Sequence, residues 1–533
     1  MEEIVVTVTF DKRDLFDLLG SEVPDDLLTD ILMDFGGDVD YLTGTTISVE
    51  LLPNRPDLYS VEGLARALAL FLGKRSTKEE RKRYSTFDSK IELIVEEVPI
   101  RPCIVGAVIE LPEPLGIELN LNLIALQEIL HKSICRERKK GAIGLHDLDK
   151  VKSPFIYRAV SRDFRFTPLD STEEMMVEEI LRSTKQGMDY GHLLQEANGY
   201  PMIVDLNGDV LSFPPIINGN LTRLESSTRR MFIDVTGTDY VTIKNALEII
   251  CCSIIERGGR IGQVRMGKEK SPELSWNPVD FNEKFAKDLL GFSGNWEKLL
   301  SKMGLDLEGE VAWVPPYRAD ILHSVDVVED AAIAYGYMKI HPRGSHEFTM
   351  GEELAISRVT GDVRGVMVGM GFQEIISLSL TSAHIERRAH LSAEGLEISN
   401  PLSENYSMLR SSLIPGLLVS LRDNEKRAKP LRLFEVGDVI IGGKNRRRIC
   451  GMVEHEGASF TEIKSCAKKL MDELGLSLVT APQQHGTFIT GRCGFIYAGG
   501  KTVGVMGEVS PEVLENFSLE MPVVCFEIDI EGL

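Results

Sequence analysis

The chain has 533 residues, 43% of them apolar and 26% charged. At roughly 150 residues per domain this predicts about three to four domains, each able to bury an ordinary core, and argues against long disorder. Lys and Arg number 59 against 81 Asp and Glu, a net charge of −22. That balance excludes a surface wrapped by nucleic acid and confines any RNA contact to local basic patches.

Met1-Glu2-Glu3-Ile4 has no basic flank leading into an apolar block, so no secretory or transit signal is expected. No stretch approaches the ~20 apolar residues of a membrane helix. The eight cysteines form no CxxC pair, which makes a zinc site or disulfide framework unexpected. Cys251 falls on the apolar face of a predicted helix and reads as a small core residue.

In chain order, Val5-Thr7-Thr9 alternating with Val6-Val8-Phe10 predicts a strand. Pro53-Asn54-Arg55-Pro56 predicts a bent loop, and Ser60 an N-cap for a helix carrying Val61, Leu64, Ala65, Leu68 and Leu72. The basic stretch Lys74 to Arg83 reads as a solvated linker, with a patch that touches RNA as the sharper alternative. From about Phe87 to Gly262 strands alternate with helices, as in a mixed α/β domain. Ser171-x-x-Glu174 reads as a capping box ahead of Val177, Ile180 and Leu181. Asn207-Gly208 predicts a hairpin turn, and Ile243, Ala246, Leu247, Ile250 and Ile254 share one helix face.

The block from about Gln263 to Pro342 reads as short and helical, with a hinge at Pro315-Pro316. Beyond it, Ile356, Val359, Val363, Val366 and Met370 stripe a long helix, and Ile376-Ser377-Leu378-Ser379-Leu380 alternates like a strand. Further strands around 431–441, 502–509 and 523–530 predict a largely antiparallel sheet with helices on one side.

The sharpest cluster of chemistry is Asp320, Asp326, Glu329 and Asp330 around a helix start near Ser324. Val325, Val328, Ala332 and Tyr335 are its expected buried face, with Asp326, Glu329 and Asp330 together on the other. Two readings stay open: carboxylates complementing the helix dipole, or oxygen ligands for a hard divalent cation. No phosphate-binding glycine loop and no G-x-S-x-G elbow occurs. His146 stands next to Asp147, a pairing expected to be a structural hydrogen bond.

Seven stretches resemble one family in order along the chain: PNRPDLYSVEGLARAL (53–68), VLSFPPIING (210–219), FIDVTGTD (232–239), VPPYRADILHSVDVVEDAAIAYGY (314–337), ISNPLSENYSMLRSSLIPGLL (398–418), LFEVGDV (433–439) and GEVSPEVL (507–514). The family is the phenylalanine–tRNA ligase beta subunit of the archaeal and eukaryotic-cytosolic type. The resemblance implies a multidomain α/β (α+β) protein: an N-terminal α/β domain (1–85), an editing domain (86–264), a winged-helix-like module with the acidic cluster (265–342), and a class II synthetase-like antiparallel sheet domain lacking catalytic motifs (343–533). It implies a cytoplasmic α₂β₂ complex with an alpha subunit that charges tRNA with phenylalanine using ATP.

By the same resemblance, Asp320, Asp326, Glu329 and Asp330 match a Mg²⁺ site shared with the alpha subunit. Ser212 and Asp234, with Asn218 nearby, line a pocket that hydrolyses mischarged tyrosyl-tRNA. The bacterial form's extra N-terminal RNA-binding barrel and C-terminal anticodon-binding domain are not expected. Contact with tRNA then falls to the alpha subunit and to patches such as Lys74 to Arg83, Arg136 to Lys140 and Arg446 to Arg448. A stand-alone hydrolase and an inert scaffold are the competing readings.

Overall fold

The computed structural model describes residues 6–196, 199–342, 344, 349–393 and 395–531. Met1 to Val5, and Arg343, where the last domain is expected to begin, lie outside the described residues. The chain divides into two compact units, Met1–Gly344 and Ser345–Leu533. Among the described residues no helix is long and apolar enough to cross a membrane.

The first unit opens on the strand Val6–Asp11, whose Val6, Val8 and Phe10 enter the core. Thr46–Leu51 lies antiparallel between it and Asp38–Leu42. Ser60 caps the helix Val61–Phe71, its hydroxyl oxygen accepting the Gly63 N–H at 3.1 Å.

The stretch Lys74 to Arg83 departs from expectation. It is no solvated linker but the capped helix Thr77–Arg83, with Ser76 and Glu79 exchanging hydrogen bonds. Arg75 and Arg83 reach Glu256 at 2.9 and 3.2 Å, and Arg81 reaches Asp306 and Glu308. Glu256 is buried, and a buried carboxylate needs a paired cation. These arginines therefore neutralise carboxylates within the unit rather than forming a free basic patch.

The next sheet is long and curved. Its order is Ile217–Asn218, Val210–Phe213, Tyr200–Val204, Phe155–Val160, Thr86–Val95, Arg260–Met266, Cys103–Glu110, Arg230–Gly237 and Gly141–Asp147. Thr86–Val95 pairs in parallel with both neighbours, and the other neighbouring pairs are antiparallel. The hairpin turn at Asn207-Gly208 is present: Asp205 accepts the Asn207 and Asp209 amides at 2.7 and 3.0 Å, and Gly208 takes φ +89°. The helix Tyr240–Glu256 lays Ile243, Ala246, Leu247, Ile250 and Ile254 into the core, each larger side chain contributing about 1.5–3 kcal/mol.

The expected capping box at Ser171 does not form. Met175–Met176 instead pairs as a short strand with Arg165–Phe166, and the helix Val177–Ser183 starts after it. Glu179 accepts the Met176 amide at 2.7 Å.

The block after Gln263 is not purely helical. Asn277–Asp280, Val311–Val314 and Asp306–Glu308 form a three-stranded antiparallel sheet beside the helices Glu283–Leu290, Trp296–Lys302 and Ser324–Tyr335. The last helix starts at the expected residue, but its faces differ from expectation. Val325 is exposed and Asp330 is buried, because Asp330 turns inward to meet a buried arginine.

The second unit is built on a seven-stranded sheet ordered Gln373–Glu374, Leu431–Ile441, Lys444–Glu454, Val523–Asp529, Lys501–Val509, Phe488–Ala498 and Val479–Pro482. Every pairing is antiparallel except the first. The helices Ala355–Gly369 and Phe460–Glu473 pack their apolar stripes on one shared core. The run 376–380 does not become the alternating strand. Only Leu380–Thr381 pairs, with Met408–Leu409, while Ile376 and Leu378 are 86% and 65% exposed. Period-two alternation makes a strand only where a neighbouring edge accepts it.

Candidate functional site

The curved sheet of the first unit brings its two end strands face to face. Asn218 on one end donates Nδ2–H to the Leu145 carbonyl on the other at 3.3 Å. Between them lies a cavity of about 320 Å³, lined by Ser212, Asn218, Asp234, Gln127, Arg138 and Gly144 among others. The three candidates Ser212, Asn218 and Asp234 thus share one pocket although they come from three strands. Ser212 stands opposite Asn218 in register, and its hydroxyl donates to Asn218 Oδ1 at 3.4 Å.

Asp234 is buried in the middle of Arg230–Gly237. Its Oδ1 lies 2.7 Å from His146 Nε2, and His146 Nδ1 lies 2.8 Å from the Thr222 hydroxyl. Oδ2 is buried and has no hydrogen-bond partner among the described residues. A buried carboxylate oxygen left without a partner is costly, so the pocket has an acceptor waiting for a donor. His146 does not pair with Asp147 as expected. Asp147 accepts from Thr228 at 2.8 Å, because neighbours on a strand point to opposite faces.

The pocket wall holds residues outside the candidate set. The helix Gly116–Lys132 runs past the outer edge of Gly141–Asp147. Gln127 donates to the Ile143 carbonyl at 2.6 Å, and the Ile143 amide donates to His131 Nε2 at 2.8 Å. His131 therefore carries its proton on Nδ1, facing Glu128 at 3.3 Å, and burial pushes its pKa down. The hydrogen bond from His131, with Arg138 beside it, pushes Glu128 down to about 2.

Arg138 also donates to the Pro215 and Ile216 carbonyls at 3.1 Å and stacks on Tyr190 at 4.3 Å. It ends a turn in which Arg136, Glu137 and Arg138 all take left-handed φ, +48°, +52° and +61°. Such residues cost about 1 kcal/mol or more each and persist where the surroundings over-determine them. Arg101 supplies part of that hold, donating to the Arg138 and Thr236 carbonyls at 3.1 and 2.7 Å. Sequence signals for these residues exist only in part: Glu128 and His131 stand at i,i+3 on one helix, and 136–138 is rich in charge.

The acidic cluster is arranged differently from the expected ligand set. Arg318 is buried and uses all five of its N–H donors. Nε and Nη2 reach Asp320 at 2.9 and 2.7 Å. Nη1 and Nη2 reach Asp330 at 2.7 and 3.0 Å, and Nη1 also reaches the Met303 carbonyl at 3.0 Å. Asp326 Oδ2 accepts the Leu322 and His323 amides, both at 2.8 Å, as a helix N-terminal cap.

Glu329 is exposed, and its pKa is raised by partial burial and by the charges of Asp330, Asp326 and Asp320. Among the described residues no group of three or more His, Cys, Asp or Glu side chains is placed to hold a metal ion. As a four-carboxylate set, Asp320, Asp326, Glu329 and Asp330 do not fit a metal, because a guanidinium already stands between Asp320 and Asp330.

Four family models match the chain in order: the Phe-tRNA synthetase beta subunit B1 domain at 5–74, the B3/4 domain at 117–251, the tRNA synthetase B5 domain at 279–337 and the phenylalanyl tRNA synthetase beta chain CLM domain at 344–530. The phenylalanine–tRNA ligase beta subunit of Archaeoglobus fulgidus is 40% identical over 99% of this chain and 98% of its own length. The chain belongs to the phenylalanine–tRNA ligase beta-subunit family, archaeal type. The beta subunit of Methanocaldococcus jannaschii is 35% identical over 98% of this chain and 100% of its own. An N-terminal fragment of the phenylalanyl-tRNA synthetase beta subunit from Pyrococcus horikoshii superposes with a TM-score of 0.58 at 32% identity, covering 62% of this chain and all of the fragment. The pocket of this beta subunit falls within the B3/4 match, and the acidic cluster within the B5 match.

Proposed function

We propose that the chain works beside an alpha subunit, in an α₂β₂ phenylalanine–tRNA ligase, and that its B3/4 pocket removes tyrosine wrongly esterified to the tRNA. The observation that carries this reading is the buried Oδ2 of Asp234, without a partner among the described residues, in a side chain that lines the cavity. A tyrosyl phenol donates a hydrogen bond to that oxygen; a phenylalanyl ring leaves it unpaired. Sites that bind a substrate hydroxyl reject the analogue lacking it by as much as ~10⁴ or more, whereas a pocket built for phenylalanine excludes tyrosine poorly.

In the reaction, water adds to the ester carbonyl, the bond to the ribose oxygen breaks, and that oxygen takes the proton. Glu128 Oε1 is already engaged by His131 and Arg138. Ser212 and Asn218 are polar enough to orient the phenol or the water, and the RNA's own hydroxyls lie next to the ester.

The domains are read as 1–85, 86–264 (editing), 265–342 (winged-helix-like) and 343–533 (class II synthetase-like, without catalytic motifs). Three helices with a small antiparallel sheet support the third, and an antiparallel sheet backed by helices the fourth. ATP is used at the alpha subunit's site, and the complex is cytoplasmic.

A Mg²⁺ shared with the alpha subunit is retained only in revised form. Asp326 Oδ1 and Glu329 are the carboxylate oxygens not engaged by Arg318 or by backbone, and the alpha subunit would have to supply further ligands. No chemical step is routed through the ion.

Asp234→Ala in the co-purified complex tests the editing reading: tyrosyl-tRNA hydrolysis is lost while phenylalanine charging continues. Hydrolysis unaltered by the substitution sinks the assignment to this pocket, and no hydrolysis by the natural complex would favour the inert scaffold. Asp326→Ala tests the metal: weaker subunit assembly and lower Mg²⁺ content are expected, and no change in either rejects it.

A further inference from the structure

We propose that His146 is a positioning residue for tyrosine selection: by holding Oδ1 of Asp234 it aims Oδ2 at the phenol. The inference rests on the editing reading of the pocket. Gly144 stands opposite Asp234 and His146 opposite Phe232 in the register of Gly141–Asp147 against Arg230–Gly237. His146 and Asp234 are therefore diagonal neighbours on one sheet face, the geometry in which long side chains meet.

Gly144 makes the meeting possible. A Cβ there would lie 2.2 Å from Asp234 Oδ1 and 2.6 Å from His146 Nε2. Both side chains are buried, at 0% and 1% exposure, so solvent does not supply the bond instead. A carboxylate only accepts, so His146 presents Nε2–H to it, and Thr222 holds the far side of the ring at Nδ1.

A purely structural pair would satisfy both carboxylate oxygens. Here one is fixed, and the other is buried without a partner among the described residues, in a side chain that lines the cavity. With Oδ1 anchored, the carboxylate is not free to rotate, and the unpartnered oxygen keeps one direction. Thr222, His146 and Asp234 thus form a chain running from the turn after Ile217–Asn218 to the floor of the pocket.

The test uses the full chain co-purified with its alpha subunit. Deacylation of tyrosyl-tRNA and phenylalanyl-tRNA is measured for the natural protein and for His146→Leu, His146→Gln, Thr222→Val and Asp234→Asn. Phenylalanine charging by each preparation reports that the assembly is intact. His146→Leu is expected to lower the tyrosyl-over-phenylalanyl ratio of kcat/KM by about tenfold or more, and His146→Gln, which keeps an N–H donor, to recover most of it.

A natural ratio in His146→Leu beside a collapsed ratio in Asp234→Asn overturns the role of His146 and leaves the pocket reading standing. A natural ratio in Asp234→Asn overturns both. If His146→Leu fails to assemble, Thr222→Val decides: a reduced ratio supports the chain of contacts, and an unchanged one refutes it.

Discussion

Asp234 and Asp330 are both buried carboxylates of the first unit, at 1% and 3% exposure, yet their surroundings treat them in opposite ways. Asp330 has both oxygens on Arg318, which also forks onto Asp320. Asp234 has one oxygen on His146 and one without a partner among the described residues. The first is compensated from within and needs no visitor; the second is complete only when something enters the pocket. Glu248 is a third case. It is buried with one unpartnered oxygen and Lys244 only as near as 3.9 Å, and burial pushes its pKa up to about 7. A cation, a ligand and a proton are three ways of settling the same desolvation cost.

The largest test of this contrast removes the cation. Arg318→Met strands Asp320 and Asp330 and is expected to destabilise the chain by about 3–5 kcal/mol, read from chemical denaturation. A midpoint restored by Mg²⁺ would show that a metal can take the place of the guanidinium.

Next is Glu248. Its folded pKa lies above the ordinary 4.5, so its contribution to stability is full below pH 4.5 and is lost as pH rises through about 7. Glu248→Gln should flatten that dependence and add about 1–3 kcal/mol at pH 8. An unchanged slope between pH 5 and 8 would mean that a cation already serves this carboxylate.

The smallest stability effect is expected at Asp234. Asp234→Asn keeps an oxygen for His146 and should hold stability within about 1 kcal/mol while tyrosine selection collapses. A loss as large as that of Arg318→Met would make Asp234 as structural as Asp330.

Local grammar was legible in the sequence. The Ser60 cap, the Asn207-Gly208 turn, the helix start at Ser324 and the antiparallel character of the second unit all follow from neighbours within a few residues. Motif resemblance also brought Ser212, Asn218 and Asp234 into one pocket.

What escaped depends on partners far along the chain. His146 meets Asp234 across 88 positions, and Arg75 meets Glu256 across 181. No periodicity announces such pairs. The stretch 376–380 shows the reverse error: good alternation, but among the described residues only Leu380 finds a partner strand. Arg447 and Arg448, counted as a basic patch, are engaged by Asp438 and Glu527. A charge run in sequence says nothing about what neutralises it in space.

The seam where the long sheet almost meets itself carries one more consequence. An unpaired strand border normally invites a foreign strand to add on, which is a route to aggregation. Along Gly141–Asp147 that invitation is withdrawn by side chains. Gln127 takes the Ile143 carbonyl, His131 takes the Ile143 amide, and Asn218 takes the Leu145 carbonyl. The cleft can stay open for a small visitor while three backbone groups along its rim are already taken.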